Sequence, residues 1–399
     1  HWELKRVKYA FLLQRGDDLS REEMEEGQYP VCASNGIIGT HTKYNVKAPS
    51  ITVGRSGSVG EVNYISCDFW AHNTALYVKI FLKSTPRFIY YLLKTLDIKS
   101  LSWGTAVGSL NRNYIHDLFS GIPPLEEQKT IARFLDHKTS QIDALIAKKE
   151  ALLEKLDEKR TALISQAVTK GLDLTVPMED SGIEWLGDIP KHWQPVRLKH
   201  LTNKIIDGAH FTPTYVNEGV PFLRVTDIVQ AKNEPINMDN IKFIPEEEHK
   251  TLSMRCNPEK GDLLYSKNGT IGISRIVDWD FEFSIFVSLC LMKVVKQKIN
   301  VEFLKYSLLG KLTETQISIG AKSNTVTNLH LDKIKEFLFS LPPIDEQIKI
   351  IQYLDKKTAK IDRQTAKVKD AIALLKEYRT ALITNAVTGK IDVRQVSSP

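Results

Sequence analysis

The sequence predicts an α+β protein in which two different compact modules are each followed by a copy of the same long helix. The first observation is an internal repeat: Ile122 to Asp173 aligns without a gap on Leu341 to Asp392, with 24 identities in 52 positions. The second is that each copy contains a long stretch without glycine or proline. The third is that short β-rich runs, broken by Gly and Asn, precede each copy. The chain is therefore a tandem duplication. The repeated segments form a common frame, and the two modules are different inserts in it.

The composition is that of an ordinary globular protein. The chain has 399 residues, of which 42% are apolar and 26% charged, with a formal net charge of +6. This excludes disordered and collagen-like chains and favours two or three domains. No run approaches the roughly 18 to 20 apolar residues of a membrane span, and the first residues lack the apolar core of a signal peptide. We therefore expect a cytoplasmic protein.

Four cysteines are spread along the chain without a C-x-x-C pair or a neighbouring histidine at zinc-finger spacing. We expect reduced, structural thiols at Cys32, Cys67, Cys256 and Cys290.

The repeated stretches from Glu126 to Lys170 and from Asp345 to Thr388 are rich in Ala, Leu, Lys and Glu. A Pro-Pro pair precedes each stretch, acidic residues occupy its first turn, and Gly171 or Gly389 follows its end. These signals predict two helices of about 65 Å each if unbroken.

Apolar residues recur every seven positions in both predicted helices, which indicates a coiled-coil seam. Further apolar residues widen the stripe in the first copy, and an additional partner helix could occupy that face. The seam residues are Leu354, Ile361, Val368, Leu375 and Leu382, matched by Leu135, Ile142, Lys149, Leu156 and Leu163; the widening residues are Leu145, Leu152, Leu153 and Ile164.

The two halves also begin alike, with His1-Trp2 in one and His192-Trp193 in the other. Between these fixed ends the halves show little similarity and differ in length. The inserts are predicted to be α+β modules, with strands at Ser50 to Gly54 and at Asp262 to Ser266.

Each of these strands runs into a loop of small residues that carries one cation. A second polar loop precedes each Pro-Pro pair, around Asn111 in the first module and around Asn324 in the second. Arg, Lys, Asn, Ser and Thr are the residue types that contact phosphates and base edges. The simpler alternative for a single loop is an ordinary turn with a solvated cation. Recurrence in both halves favours binding.

The charges exclude a broad cationic surface on either module. Residues 1–121 carry 14 basic and 11 acidic side chains, and residues 171–343 carry 20 and 22. Nucleic-acid binding would therefore depend on local patches.

Motifs of common catalytic sites are missing from the sequence. It contains no G-x-x-x-x-G-K-[ST] phosphate loop, no Asn or Asp before Pro-Pro-Tyr or Pro-Pro-Phe, and no H-E-x-x-H. Asp136 and Asp355 resemble part of a metal-nuclease motif but fall inside the predicted helices without a second carboxylate upstream. We expect a chain without catalytic activity.

The chain resembles one family along essentially its whole length, the specificity subunits of type I restriction-modification systems. The resemblance rests on Pro-Pro-Leu-Glu-Glu-Gln at 123–128, Pro-Pro-Ile-Asp-Glu-Gln at 342–347, the Arg-Thr-Ala-Leu-Ile pairs, and the linker at 181–193. It implies two target-recognition domains joined by two long antiparallel coiled-coil helices, a tandem repeat with pseudo-two-fold symmetry. The His1-Trp2 start resembles the same linker with its upstream part absent.

The resemblance implies a DNA-binding subunit that reads a bipartite, asymmetric target and catalyses nothing. Adenine methylation would be performed by two modification subunits with S-adenosylmethionine. Restriction would be performed by restriction subunits with ATP and Mg. The present chain would bind no cofactor or metal.

We predict six segments: target-recognition domain 1 at 1–121, helical spacer 1 at 122–170, a linker at 171–195, target-recognition domain 2 at 196–340, helical spacer 2 at 341–390, and a tail at 391–399. The candidate DNA-binding residues are Lys43, Arg55, Ser56, Asn111, Arg112 and Asn113 in the first domain and Arg224, Lys267, Asn268, Arg275, Lys322 and Asn324 in the second. We expect Arg55→Ala or Lys267→Ala to weaken DNA binding of the assembled complex without unfolding it.

Two other classes of protein fit the pattern. One is a fragment of a single-chain restriction enzyme with its catalytic domains outside this sequence. The other is a coiled-coil scaffold that carries sugar-binding or protein-binding modules.

Overall fold

The computed structural model describes residues 1–102, 109–231, 234–319 and 328–394. The chain divides into two compact units, one formed by His1–Ala151 and Val368–Pro399 and the other by Leu152–Lys367. Each unit contains one module and a segment of each of two long helices.

The first module consists of short strands and two short helices that precede the first long helix. Its elements are β1 (Glu3–Arg6), β2 (Phe11–Arg15), β3 (Tyr29–Ala33), β4 (Gly36–His41), β5 (Ser50–Gly54), β6 (Val62–Ile65), β7 (Trp70–Ala71), β8 (Ala75–Phe81), α1 (Pro86–Thr95), α2 (Arg112–His116) and β9 (Phe119–Ile122).

The first long helix, α3 (Leu125–Lys170), is followed by a linker hairpin of β10 (Met178–Asp180) and β11 (Asp188–Pro190). The second module and the second long helix complete the described chain. They are β12 (Gln194–Arg197), β13 (Thr202–Asp207), β14 (Val220–Leu223), α4 (Val225–Ala231), β15 (Lys242–Ile244), α5 (Glu246–Arg255), β16 (Leu263–Ser266), β17 (Ser274–Ile276), β18 (Ser284–Ile285), β19 (Leu289–Val294), α6 (Val301–Leu309), α7 (Lys311–Ile319), α8 (Leu331–Lys335), β20 (Leu338–Leu341) and α9 (Ile344–Val387).

The two modules have the same sheet topology. The first contains a four-stranded sheet in the order β2-β8-β5-β6 and a three-stranded sheet in the order β4-β3-β7. The second contains β13-β19-β16-β17 and β15-β14-β18, which is the same pattern strand for strand. In both three-stranded sheets one pair is antiparallel and the other parallel. Two inserts with little sequence similarity therefore share one fold.

The first and last strands of each module pair with each other. β1 runs antiparallel to β9, with Glu3 opposite Ile122, and β12 runs antiparallel to β20, with Gln194 opposite Leu341. The chain therefore leaves each module next to the point where it entered, and the Pro-Pro pair then starts the long helix.

The predicted long helices are confirmed to within one residue at each end. Most seam residues of the heptad pattern are buried, and Leu135 and Leu354 are fully enclosed. In the first unit the helices run antiparallel, because Asp143 and Glu150 of α3 pair with Arg379 and Lys376 of α9, respectively. The predicted α+β class and tandem repeat are likewise confirmed.

The second unit contains the counterpart of the Asp143–Arg379 ion pair. Arg160 of α3 pairs with Asp362 of α9, and both residues stand at the repeat offset from the first pair. The repeat therefore reproduces the interhelical contact as well as the sequence.

The residues that widen the apolar stripe of α3 have different environments. Ile164 is buried in the core of the second unit and Leu153 is half-buried. Leu145 in the first unit and Leu152 in the second remain 43% and 44% exposed.

The four cysteines are free thiols. Cys32, Cys256 and Cys290 are buried, and burial raises the pKa of Cys256 to about 11. Cys67 is exposed, so the structural role expected of it is not supported by its position.

A buried glutamine attaches each module to the first turn of its long helix. Gln128 accepts a hydrogen bond from the backbone N–H of Thr85 at 2.9 Å and donates to the carbonyls of Pro123 at 2.9 Å and Lys83 at 3.3 Å. Gln347 makes the same three contacts with Asn300, Pro342 and Lys298. The glutamine of the Pro-Pro motif therefore binds backbone groups of its module.

A second pair of repeated contacts explains the aspartates that resembled a nuclease motif. The hydroxyl of Tyr91 in α1 donates to Asp136 at 2.6 Å, and that of Tyr306 in α6 donates to Asp355 at 2.6 Å. These carboxylates hold the module's helix against the long helix.

Replacing Gln128 with alanine should cost about 3 kcal/mol of unfolding free energy, because the backbone groups it pairs would lose their partner in a buried site. Urea denaturation of the full chain measures this. The matched control is Gln141→Ala on the exposed face of α3, for which we expect less than about 0.5 kcal/mol. Equal small losses for both variants would contradict the assigned role of Gln128.

Candidate nucleic-acid interface

In each module the loop after the predicted strand is bridged to a described residue of the second polar segment. In the first module Ser56 forms a β-bridge with Ser109, and the N–H of Leu110 donates to the carbonyl of Arg55 at 2.9 Å. In the second module Asn268 forms a β-bridge with Asn328. In each module, therefore, two segments that are distant in the sequence meet at the residue that precedes Gly57 or Gly269.

The loops that follow β5 and β16 have the same backbone course. Each closes on itself, with Gly60 N–H donating to Gly54 carbonyl at 2.9 Å and Gly272 N–H to Ser266 carbonyl at 3.1 Å. Gly269 adopts a φ of +73°, as its counterpart in the first loop adopts +80°, a conformation that favours glycine. The small residues therefore permit a tight loop. Ser56 or Asn268 lies directly before the glycine of this loop.

In the first module the candidate cation Arg55 is half-buried, and hydrogen bonds fix its backbone. Its N–H donates to the carbonyl of Thr74 at 2.8 Å, and its Nη1 reaches the carbonyl of Asn73 at 3.5 Å. Ser56 N–H also donates to Thr74, at 3.2 Å. Lys43 is exposed in the β4–β5 connection, and no contact found in the described chain links it to this surface.

The second loop of the first module leads into α2. The side-chain oxygen of Asn111 caps this helix by accepting a hydrogen bond from the N–H of Asn113 at 2.9 Å. Arg112 reaches the carbonyl of Leu13 with Nη1 at 3.5 Å. All three candidate side chains are exposed, and the cap fixes the backbone that carries them.

Two candidate arginines of the second module form ion pairs within their own segments. Arg224 contacts the buried carboxylate of Asp227 through Nε at 3.1 Å and Nη2 at 2.9 Å. The buried Arg275 contacts both oxygens of Asp278 at 3.0 Å and lies over the ring of Trp279. Each guanidinium is paired with an Asp three residues later in the sequence.

Lys267 is buried, with only 5% of the residue exposed, and its Nζ lies 3.3 Å from Oδ2 of Asp207. The same carboxylate receives Nη2 of Arg255 at 2.6 Å and lies 3.0 Å from Nε2 of His210. Burial alone would raise the pKa of Asp207, but the hydrogen bonds from Arg255 and His210 and the charge of Lys267 lower it. Asp207, His210 and Arg255 were missed from the sequence because they lie far from Lys267 and share no motif with it.

Asn268 is half-buried, and within the described chain its Oδ1 has no hydrogen-bond partner. Lys322 and Asn324 lie outside the described residues. The DNA-binding roles of the candidate residues therefore stay predictions, with their positions now defined for ten of the twelve.

Two kinds of feature are absent from the described ranges. No cluster of three or more His, Cys, Asp or Glu side chains there could hold a metal ion. None of the described helices is long and apolar enough to cross a membrane.

The family model of the type I restriction modification DNA specificity domain matches residues 1–155 and 190–373. The chain therefore belongs to the type I restriction-modification DNA specificity family, and the resemblance seen in the sequence is confirmed.

Related proteins carry the same description. The chain is 25% identical to the type I restriction enzyme EcoBI specificity subunit of Escherichia coli, over 77% of this chain and 66% of that subunit. It is 26% identical to the MjaVIII specificity subunit of Methanocaldococcus jannaschii, over 78% of this chain and 71% of that subunit.

Solved structures show the same fold. A chain from a structure on complex assembly and conformational transition of the type I R-M system matches with a TM-score of 0.71 at 15% identity, over 98% of both chains. The HsdS subunit from Thermoanaerobacter tengcongensis matches with a TM-score of 0.50 at 15% identity, over 98% of this chain and 97% of that one.

The burial of Lys267 changes what its substitution should do. Lys267→Ala removes a buried partner of Asp207 and should cost about 2 kcal/mol of unfolding free energy in addition to any effect on DNA. Lys260→Ala is the control, because Lys260 pairs with Asp280 in solvent and should cost less than about 0.5 kcal/mol. Thermal and urea denaturation of the two full-length variants compare them, and equal losses would show that the buried pair contributes nothing.

Proposed function

We propose that the chain is the non-catalytic subunit that selects the DNA target of a type I restriction-modification complex. Each module would read one part of a bipartite, asymmetric sequence. The observation that carries the proposal is that two modules with one sheet topology present equivalent loops with different residues, Arg55-Ser56 in one and Lys267-Asn268 in the other. Two modules that recognise different base sequences require a common backbone with different side chains.

The repeated frame supports a second part of the proposal. Because both units carry the same interhelical ion pair and the same glutamine attachment, two copies of one partner could dock on equivalent surfaces. We propose that these partners are two modification subunits, which use S-adenosylmethionine to methylate adenine on the two strands. Restriction subunits that use ATP and Mg would join the complex, which would act on cytoplasmic DNA.

The binding energy would be divided between two kinds of contact. Cations at the module surface would contact phosphates and give an affinity that falls with salt. The side chains at the loop tips would contact base edges and give the sequence preference.

The proposal is tested by co-expressing the chain with the modification subunit encoded beside it and mapping N6-methyladenine across the host genome. We expect a new split motif, methylated on both strands and absent without this chain. A soluble complex that adds no motif would contradict target selection by this chain. Failure to form any complex would favour the scaffold alternative.

Substitutions at the loop tips should affect the two parts of the motif separately. Ser56→Ala should relax base preference only in the part read by the first module, and Asn268→Ala only in the other, because each lies in its own module. A lost bidentate base contact would cost about 1 to 3 kcal/mol of discrimination. The methylome of each variant measures this, and a change in both parts from one substitution would contradict independent reading.

A further inference from the structure

Asp207, at the end of β13, lies against two cationic side chains from distant segments and against one histidine. Arg255 comes from the last turn of α5, Lys267 from the loop after β16, and His210 from the chain just after β13. The Asp207 carboxylate itself is buried, so it can be approached only through these partners. A third cation is near, since Nζ of Lys204 donates to the carbonyl of Arg255 at 2.6 Å. The cluster therefore carries a net positive charge around one hidden carboxylate.

Arg255 is the member of this cluster that faces solvent in a fixed orientation. Its Nη1 donates to the carbonyls of Asp207 at 2.9 Å and Gly208 at 3.1 Å, and its Nη2 donates to Oδ1 of Asp207 at 2.6 Å. A guanidinium has five N–H donors, and within the described chain these contacts leave the Nε hydrogen and one Nη2 hydrogen. Nε and Nη2 lie on one edge of the group. The side chain is 50% exposed, so this edge is available to a ligand.

The position of Arg255 is concave. It lines a cavity of about 350 Å³ together with His210 and Phe211, and the ring of Phe211 is 53% exposed. A guanidinium edge at a concave surface fits an oxyanion with two adjacent oxygens, such as a phosphodiester.

Among its described residues, the first module has no such cluster at the equivalent place. There the chain after β2 continues through Asp17 and Asp18, both exposed, and Asp18 pairs with Arg15. The two places are equivalent because each chain forms a parallel β-bridge there. Asp17 bridges His72 in the first module, and Ala209 bridges Phe286 in the second. The cationic site is thus a property of the second module and no part of the repeated frame.

We propose that Arg255 binds a phosphate of the DNA backbone and that Asp207 is the positioning residue for this contact. The inference rests on the proposed function. Asp207 holds Arg255 with one oxygen and Lys267, at the base of the reading loop, with the other. A phosphate on Arg255 therefore fixes the distance between the DNA backbone and residues 266–272. Phosphate contacts set the register of a protein on the duplex, and base contacts then specify the sequence.

The test uses the complex with the modification subunit and two fluorescein-labelled duplexes, one with the mapped motif and one with that motif scrambled. Binding is titrated over a series of KCl concentrations. Arg255→Gln should reduce the slope of log K against log salt by about 1 and weaken binding to both duplexes equally. Asp207→Asn should in addition reduce the preference for the mapped duplex, because the reading loop loses its link to the phosphate contact.

Arg197→Gln is the matched control. Arg197 is also half-exposed and forms an ion pair with Glu336. It lies at the end of β12, whereas Asp207 lies at the end of β13. We expect this variant to keep both the slope and the preference. Arg255→Lys keeps the charge but loses the planar edge, so it should keep the slope while weakening binding about threefold.

An unchanged slope in Arg255→Gln would overturn the inference, as would a loss of preference without a change in slope. If Arg255→Gln does not fold, as judged by thermal denaturation, Arg255→Lys decides the matter, and unchanged affinity in that variant overturns the inference. These results are distinct from failure of the proposed function, in which the wild-type complex itself would not prefer the mapped duplex.

Discussion

The hydrogen bonds of one buried glutamine determine how each module sits on its long helix. Gln128 and Gln347 bind backbone N–H and carbonyl groups of the module, so the attachment does not depend on which side chains the module carries at those positions. The tyrosine–aspartate pairs add a second contact of the same kind in both units. A frame that holds a module by its backbone tolerates wide changes in module sequence. This is the physical reason that two inserts with little similarity can occupy equivalent places in one chain.

Helix-boundary residues and the heptad spacing of apolar residues made the helical part of the fold predictable. Pro-Pro before each helix, Gly after it and apolar residues at heptad spacing placed α3 and α9 to within a residue. The strands β5 and β16 were also predictable, because each is a short, largely apolar run before a glycine-containing loop. The shared topology of the modules was not predictable, since buried strand positions accept many apolar residues and the two sequences have diverged.

The candidate site was predictable only in part. Composition identified the loops, but the bridges that join them, Ser56 with Ser109 and Asn268 with Asn328, connect residues more than fifty positions apart. The same limit hid the burial of Lys267, because its partner Asp207 lies sixty residues upstream. Equivalent positions therefore differ in role: Arg55 lies against a backbone carbonyl at the surface, whereas Lys267 is an internal ion-pair partner that supports its loop.

Under the proposed function, the two long helices would set the separation between the two parts of the target. The most direct measurement is the methylome of a variant that lacks residues 144–150 of α3 and 372–378 of α9, which keeps the heptad phase of both helices. At about 1.5 Å per residue the deletion shortens the helices by about 10 Å, or about three base pairs of duplex. We expect both parts of the motif to persist with a spacer about three base pairs shorter. A methylated motif with its original spacer would contradict it.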